Sequence, residues 1–312
     1  MKILAAFLVL IIMALAGANG FAQAPAVEKS GVLLLCQNGS QVWEKTVKDA
    51  VAGLPRDAVV ETVFGGDDER AMRGALGRLE KLKISKIIVI PVFASSYSPE
   101  LDQARYMLGI RRTAPPATGP HGGAGSGPAK TIEVKHRLIM TRALDTDNVV
   151  IDAVAAAVTK HARDTGSVSL VLAGLGPYAD KDVAPQAETL SFIARKVKEK
   201  LKLADARAVL LRSDSGEKTR DSTTGELRQT VQELSRQGKT IVVAHTLSAN
   251  VLDRTISQDL NGLFYTWGET AVLNSLQLRT WLESKITKAG NTTGKHVVKR
   301  LKKNKIITTK TR

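Results

Sequence analysis

The chain is expected to be an α/β protein made of two tandem βαβ lobes with mainly parallel sheets and a cleft between them. Three observations lead there. From Gly31 onward short apolar segments alternate with amphipathic ones. The order strand, helix, strand, helix, strand occurs twice. The apolar segments, such as Ile87-Ile88-Val89-Ile90, lack the polar alternation of a half-exposed strand, as expected when helices cover both sheet faces.

Val32 to Cys36 reads as the first strand, and Val42 to Leu54 as a helix stopped by Pro55. Ala58 to Phe64, rich in β-branched residues, reads as the second strand. Asp67 to Leu82 has an acidic first turn and a basic last turn, which suit a helix dipole. Lys86 to Phe93 is the third strand, and Pro99 opens a helix over Glu100 to about Leu108. Residues 113–130, rich in Pro, Gly and Ala, read as a mobile surface loop. Thr131 to Met140, with Ile132, Val134 and Leu138 alternating, reads as a strand and Val149 to His161 as a helix.

The pattern then restarts. Val168 to Gly176 repeats Val32 to Gly39, so that Gly176 corresponds to Gly39. Helix Val183 to Leu201, strand Ala206 to Leu211 and helix Glu217 to Arg236 follow. Thr240 to Ala244 repeats the third strand, with Ser248 at the place of Ser95. The lobes are expected at 30–165 and 166–290, with a basic tail at 291–312.

Met1-Lys2 followed by the apolar run Ile3 to Ala18 reads as a signal peptide over residues 1–22, with cleavage expected after Ala22. The mature chain is then periplasmic or otherwise extracytoplasmic. The alternative is a retained N-terminal membrane anchor, for which the run is short of the roughly 20 residues a bilayer needs. Cys36 is the only cysteine, so no internal disulfide forms. It closes an apolar strand and is expected to be buried. Of the formal charge of +15, Lys295 to Arg312 supplies eight cations and no acid. That tail has no interleaved aromatic residues, which argues against nucleic acid and leaves electrostatic contact with an anionic membrane open.

In an open parallel sheet ligands bind beyond the carboxyl ends of the strands. The residues this singles out are Gln37, Asn38, Gly39 and Ser40 after the first strand, and Tyr97 and Ser98 after the third. In the second lobe they are Gly176 and Tyr178, and His245 at the end of its third strand. The G-x-G-x-x-G phosphate fingerprint and the G-x-S-x-G nucleophile elbow are both absent. No Cys or His pair has metal-ligand spacing. His245, Glu100 and Asp102 are the candidate metal ligands, and Arg105 or Lys181 could pair with ligand carboxylates.

These segments resemble the class II tetrapyrrole chelatases, in particular the two-domain sirohydrochlorin cobaltochelatases. Leu33 to Ser40 resembles that family's apolar strand ending in G-H-G-S, and Ile87 to Phe93 its V-V-V-P-x-F strand. Leu210 to Asp214, Thr240 to Ser248 and Leu260 to Tyr265 resemble later segments in the same order. The resemblance implies chelatase-like, flavodoxin-like lobes and a cleft that takes a tetrapyrrole such as sirohydrochlorin together with Co2+ or another divalent metal. It also implies that the internal duplication allows a monomer. The family's catalytic histidines fall at Asn38 and about Ser98 here, and Leu175 occupies the corresponding turn of the second lobe. Imidazole both holds a metal and accepts a proton near neutral pH, and an amide accepts none. The expected function is therefore binding of a tetrapyrrole, a divalent metal or both by a protein altered in its catalytic groups. Two alternatives stay open: an active cobalt or iron chelatase with other ligands, and an interaction module docking through the tail.

Overall fold

The computed structural model describes residues 29–56, 58–115, 130–212, 216–248, 251–270 and 273–290. The expected signal peptide, most of the Gly- and Pro-rich loop and the basic tail lie outside these residues. Two four-stranded, all-parallel sheets form. The first contains β1 (Ser30–Cys36), β2 (Val59–Phe64), β3 (Lys86–Val92) and β4 (Arg137–Met140) in the order β2-β1-β3-β4. The second contains β5 (Val168–Leu175), β6 (Asp205–Leu211), β7 (Lys239–His245) and β8 (Thr266–Thr270) in the order β6-β5-β7-β8. Both lobes thus repeat one topology, and the chain is α/β with two lobes.

Helices follow the strands one for one. In the first half they are α1 (Gln41–Ala52), α2 (Glu69–Glu80), α3 (Pro99–Met107) and α4 (Asn148–Thr159). In the second they are α5 (Asp180–Leu201), α6 (Glu217–Ser235), α7 (Val251–Asp259) and α8 (Ser275–Gly290). Their starts follow from local chemistry. Ser40 caps α1 by accepting from the Trp43 amide at 3.3 Å, and Asp68 caps α2 by accepting from the Ala71 amide at 2.8 Å. Pro99 at the first turn of α3 supplies a preset φ where an amide would go unused. No described helix is long and apolar enough to cross a membrane.

The central strands are sealed. Leu33, Leu34 and Leu35 of β1 have no exposed area, and each such burial contributes about 1.5–3 kcal/mol. Even-numbered residues of β1 and β3 face a core shared by the two lobes, and odd-numbered ones face a second core beneath α2 and α3.

The closing helices are exchanged. Helix α4 leaves the first sheet and packs on α5, β7 and β8, whereas α8 leaves the second sheet and packs on α1 and β3. Asp147, just before α4, ties the exchange together. It accepts from the Trp281 indole at 2.6 Å and from the Lys285 ammonium at 2.8 Å, both on α8. The shared core therefore joins Trp43 and Val47 of α1 to Leu278, Trp281 and Leu282 of α8.

One strand and the closing region of the second lobe differ from the sequence expectation. The strand expected over Thr131 to Met140 shrinks to Arg137–Met140, because its neighbour β3 begins only at Lys86, opposite Arg137. Ile132 and Val134 are buried all the same, so their alternation reports packing rather than a ladder. Strand β8 and helix α8 had no assignment from sequence, and both belong to the closing region of the second lobe.

Candidate functional site between the lobes

The carboxyl ends of β1 and β7 meet across the lobe boundary. The Gln37 amide donates to Thr246 Oγ1 at 3.3 Å, and the Ser40 backbone N–H donates to Ser248 Oγ at 2.9 Å. The Trp43 indole N–H holds the Gln37 carbonyl at 2.9 Å, fixing the turn from inside α1. Gly39 is required by this approach. A Cβ there would lie 2.6 Å from both Ser248 Oγ and Trp43 Cδ1, inside any normal contact. The close backbone approach at this glycine thus has a specific partner, the β7 loop.

Asn38, the first of the family's histidine positions, is exposed, and its amide lies beside Gly65 after β2. Gly65 has φ +80°, and a Cβ there would sit 2.9 Å from the Asn38 amide nitrogen. Ser98, the second position, precedes α3 without giving it a side-chain cap, and its N–H donates to the Ser95 carbonyl at 3.3 Å. The neighbouring Tyr97 N–H donates to Ser95 Oγ at 3.0 Å.

Glu100 lies on the first turn of α3, against the Gly66 segment, and one of its carboxylate oxygens is buried without a hydrogen-bond partner. Burial, assisted by the nearby charge of Asp67, pushes its carboxyl up to about 7. It therefore exchanges a proton near neutrality. Asp102, two residues on, is committed elsewhere: Arg105 and Arg111 both donate to it, and Arg105 also donates to the Ser96 carbonyl at 2.7 Å.

His245 ends β7 on the face shared with Ile241 and Val243, which looks toward the first lobe. It is buried, and its Nε2 has no partner. Burial lowers its pKa from 6.5 to about 4, partly opposed by the Asp145 carboxylate nearby, so the ring is neutral at pH 7. Asp145 reaches this place from the segment after β4. It is held at φ +42° by the Ser96 N–H and Oγ–H, each donating at 2.7 Å, and by Arg142 Nε at 3.0 Å.

The second lobe's first turn is arranged differently. The Gly176 N–H donates to the Leu211 carbonyl at 2.7 Å, and the Tyr178 carbonyl accepts from Arg212 Nη2 at 3.0 Å. Leu175 is 39% exposed there and Lys181 is exposed on the first turn of α5, so this lip offers an apolar contact and a cation. Among the described residues no three His, Cys, Asp or Glu side chains come together as a metal-holding group. Glu100 and His245 each present one unpartnered atom, and Asp102 presents none. Asp145 and the Gly65-Gly66 turn escaped the sequence reading because only the loops after the first and third strands were considered. Applying the same rule to the ends of β2 and β4 finds both.

Two parallel four-stranded lobes of identical order, meeting at their strand ends, constitute the class II chelatase-like fold. Among solved structures the chain is similar to SirB from Bacillus subtilis with Fe3+, with a TM-score of 0.55 and 15% identity over 84% of this chain and 96% of that one. It is also similar to the sirohydrochlorin chelatase SirB from Bacillus subtilis subspecies spizizenii in complex with cobalt. That match has a TM-score of 0.51 and 16% identity over 84% and 95% of the two chains. No protein-family model matches the chain, and no curated protein matches it.

Proposed function

We propose that the cleft between the lobes binds a tetrapyrrole, a divalent metal ion, or both, in an exported protein whose family histidine positions have been replaced. The observation that carries this reading is the pair of unpartnered groups at the strand ends, Glu100 on the first lobe and His245 on the second, within a chelatase-like fold. The metal is cargo or substrate rather than a resident cofactor. With one donor atom each and no third ligand, these residues would leave the remaining coordination positions to the macrocycle or to water. The charges on the two lips also suit the pair of ligands. The segments after β2 and β4 carry Asp67, Asp68, Asp145 and Asp147 against Arg142 and the Lys285 paired with Asp147, a net negative charge that favours a cation. Lys181 on the second lobe favours the carboxylates of a macrocycle.

One observation supports the second reading, in which metal insertion survives. Removal of pyrrole protons needs an acceptor poised near neutrality, and Glu100 has that property without a histidine. The two readings separate in a cobalt and sirohydrochlorin assay followed by absorbance. Conversion faster than the protein-free blank, reduced at least about tenfold by Glu100→Gln, supports insertion with Glu100 as general base. A ligand spectrum that shifts without conversion supports binding alone. No spectral change with either ligand refutes both.

A further inference from the structure

The strand-start edge of the first sheet, opposite the cleft, is basic. The stretches leading into β1 to β4 at this edge are residues 29–30, 53–59, 81–86 and 133–137, and they carry seven lysines and arginines, with Asp57, Glu133 and, at the end of α2, Glu80 as the acids. Lys29, Arg56, Lys81, Lys83 and Lys135 are exposed, and among the described residues none of their charged groups is in an ion pair. Arg137, level with Lys86 across β3 and β4, keeps Nε and Nη2 without a partner. The opposite edge has the reverse sign. The stretches after the same four strands, 37–40, 65–68, 93–98 and 141–147, carry four aspartates and one arginine. Strands of this length hold the two edges about 20 Å apart.

Both ends of the described body arrive at the basic edge. Ser30 pairs with Lys86 at the start of the sheet, and the Lys86 ammonium donates to the Gly290 carbonyl at the end of α8 at 2.9 Å. Residues 291–312, with eight cations, therefore leave the body at this edge.

The geometry points to an anionic lipid surface as the partner of this edge, with the cleft facing away from it. Cations clustered on one side of a protein are attracted to anionic headgroups, each near-surface Lys or Arg contributing about 1 kcal/mol. The aspartate edge lies more than two Debye lengths away at physiological salt, ~8 Å each, so it does not oppose contact. The four basic stretches hold no Phe, Tyr or Trp on which a base could stack, which disfavours nucleic acid. This inference does not depend on what the cleft binds.

The test is co-sedimentation of the chain from Gln23 onward, tail included, with vesicles of phosphatidylcholine alone, or mixed with phosphatidylglycerol. It is then repeated with K29Q/R56Q/K81Q/K83Q/K135Q, in which the tail is intact. Each near-surface lysine or arginine contributes about fivefold to such partitioning. The expected result is a preference for the anionic vesicles that high salt abolishes and that the five substitutions weaken at least about tenfold. A fluorophore at Lys83→Cys should be quenched by headgroup-linked quencher and one at Val42→Cys, on the cleft side, should not; these single exposed changes serve if the fivefold variant melts early. Equal binding to neutral vesicles, an unchanged fivefold variant, the reverse quenching pattern, or displacement by duplex DNA would each overturn the inference.

Discussion

At the level of single residues, the site is governed by two titrating groups with opposite pH effects. His245 stays neutral in the folded chain down to about 4, whereas the unfolded chain protonates it below 6.5, so stability falls as pH drops through that window. The size of this effect is about 3 kcal/mol. Glu100 behaves in the opposite sense. Its folded carboxyl keeps its proton up to about 7 while the unfolded one releases it near 4.5, so stability is lost as pH rises between those values. Its partial exposure reduces that loss to about 2 kcal/mol. The two nearly offset each other. Glu100→Gln should therefore match the parent at pH 4 and exceed it by about 2 kcal/mol at pH 7 in urea unfolding. Equal stabilities at both pH values would mean that Glu100 is not held in its protonated form. Gly39→Ala should cost about 1–3 kcal/mol, because its methyl group meets Ser248 and Trp43 and pushes the β1 and β7 loops apart. Thermal melting of that variant checks it. Gly39 and His245 were readable from sequence through their places after strands. The same rule, applied after β4, reaches Asp145, but nothing local marks that aspartate as facing a histidine a hundred residues away.

At the level of elements, the exchange of α4 and α8 makes the lobes one cooperative unit. Leu282 is fully buried in the core that joins α8 to the first lobe, so Leu282→Ala should cost about 2–5 kcal/mol. It should lower both lobes together, as a single shifted transition in calorimetry. Two separated transitions would show that α8 does not couple the lobes. The βαβ rhythm was legible because apolar strands and capped helices are local features. The exchange was not legible. An amphipathic helix such as α4 declares that one face is buried, but not which sheet buries it. The shortened β4 has a similar cause, because Ile132 and Val134 alternate as strand residues do while only burying themselves beside α3.

At the level of the whole molecule, the chain combines a chelatase-like fold with a charge separation along its first sheet. The duplication explains how one chain supplies both lips of a cleft. The lips differ in chemistry, with Asn38 and Glu100 on one and Leu175 and Lys181 on the other. The fold was accessible from sequence through the order of weak motifs, each unspecific alone. Ligand identity was not, because Asn38 and Ser98 stand where the sequence resemblance would place the histidines that declare it. The central claim is that a tetrapyrrole enters between the lobes, and an absorbance titration of sirohydrochlorin against the parent chain and Gly39→Leu tests it most directly. Saturable binding to the parent, weakened at least about tenfold by a side chain that fills the approach of the β1 and β7 loops, is the predicted result. No binding to the parent, or equal binding to both, would contradict it.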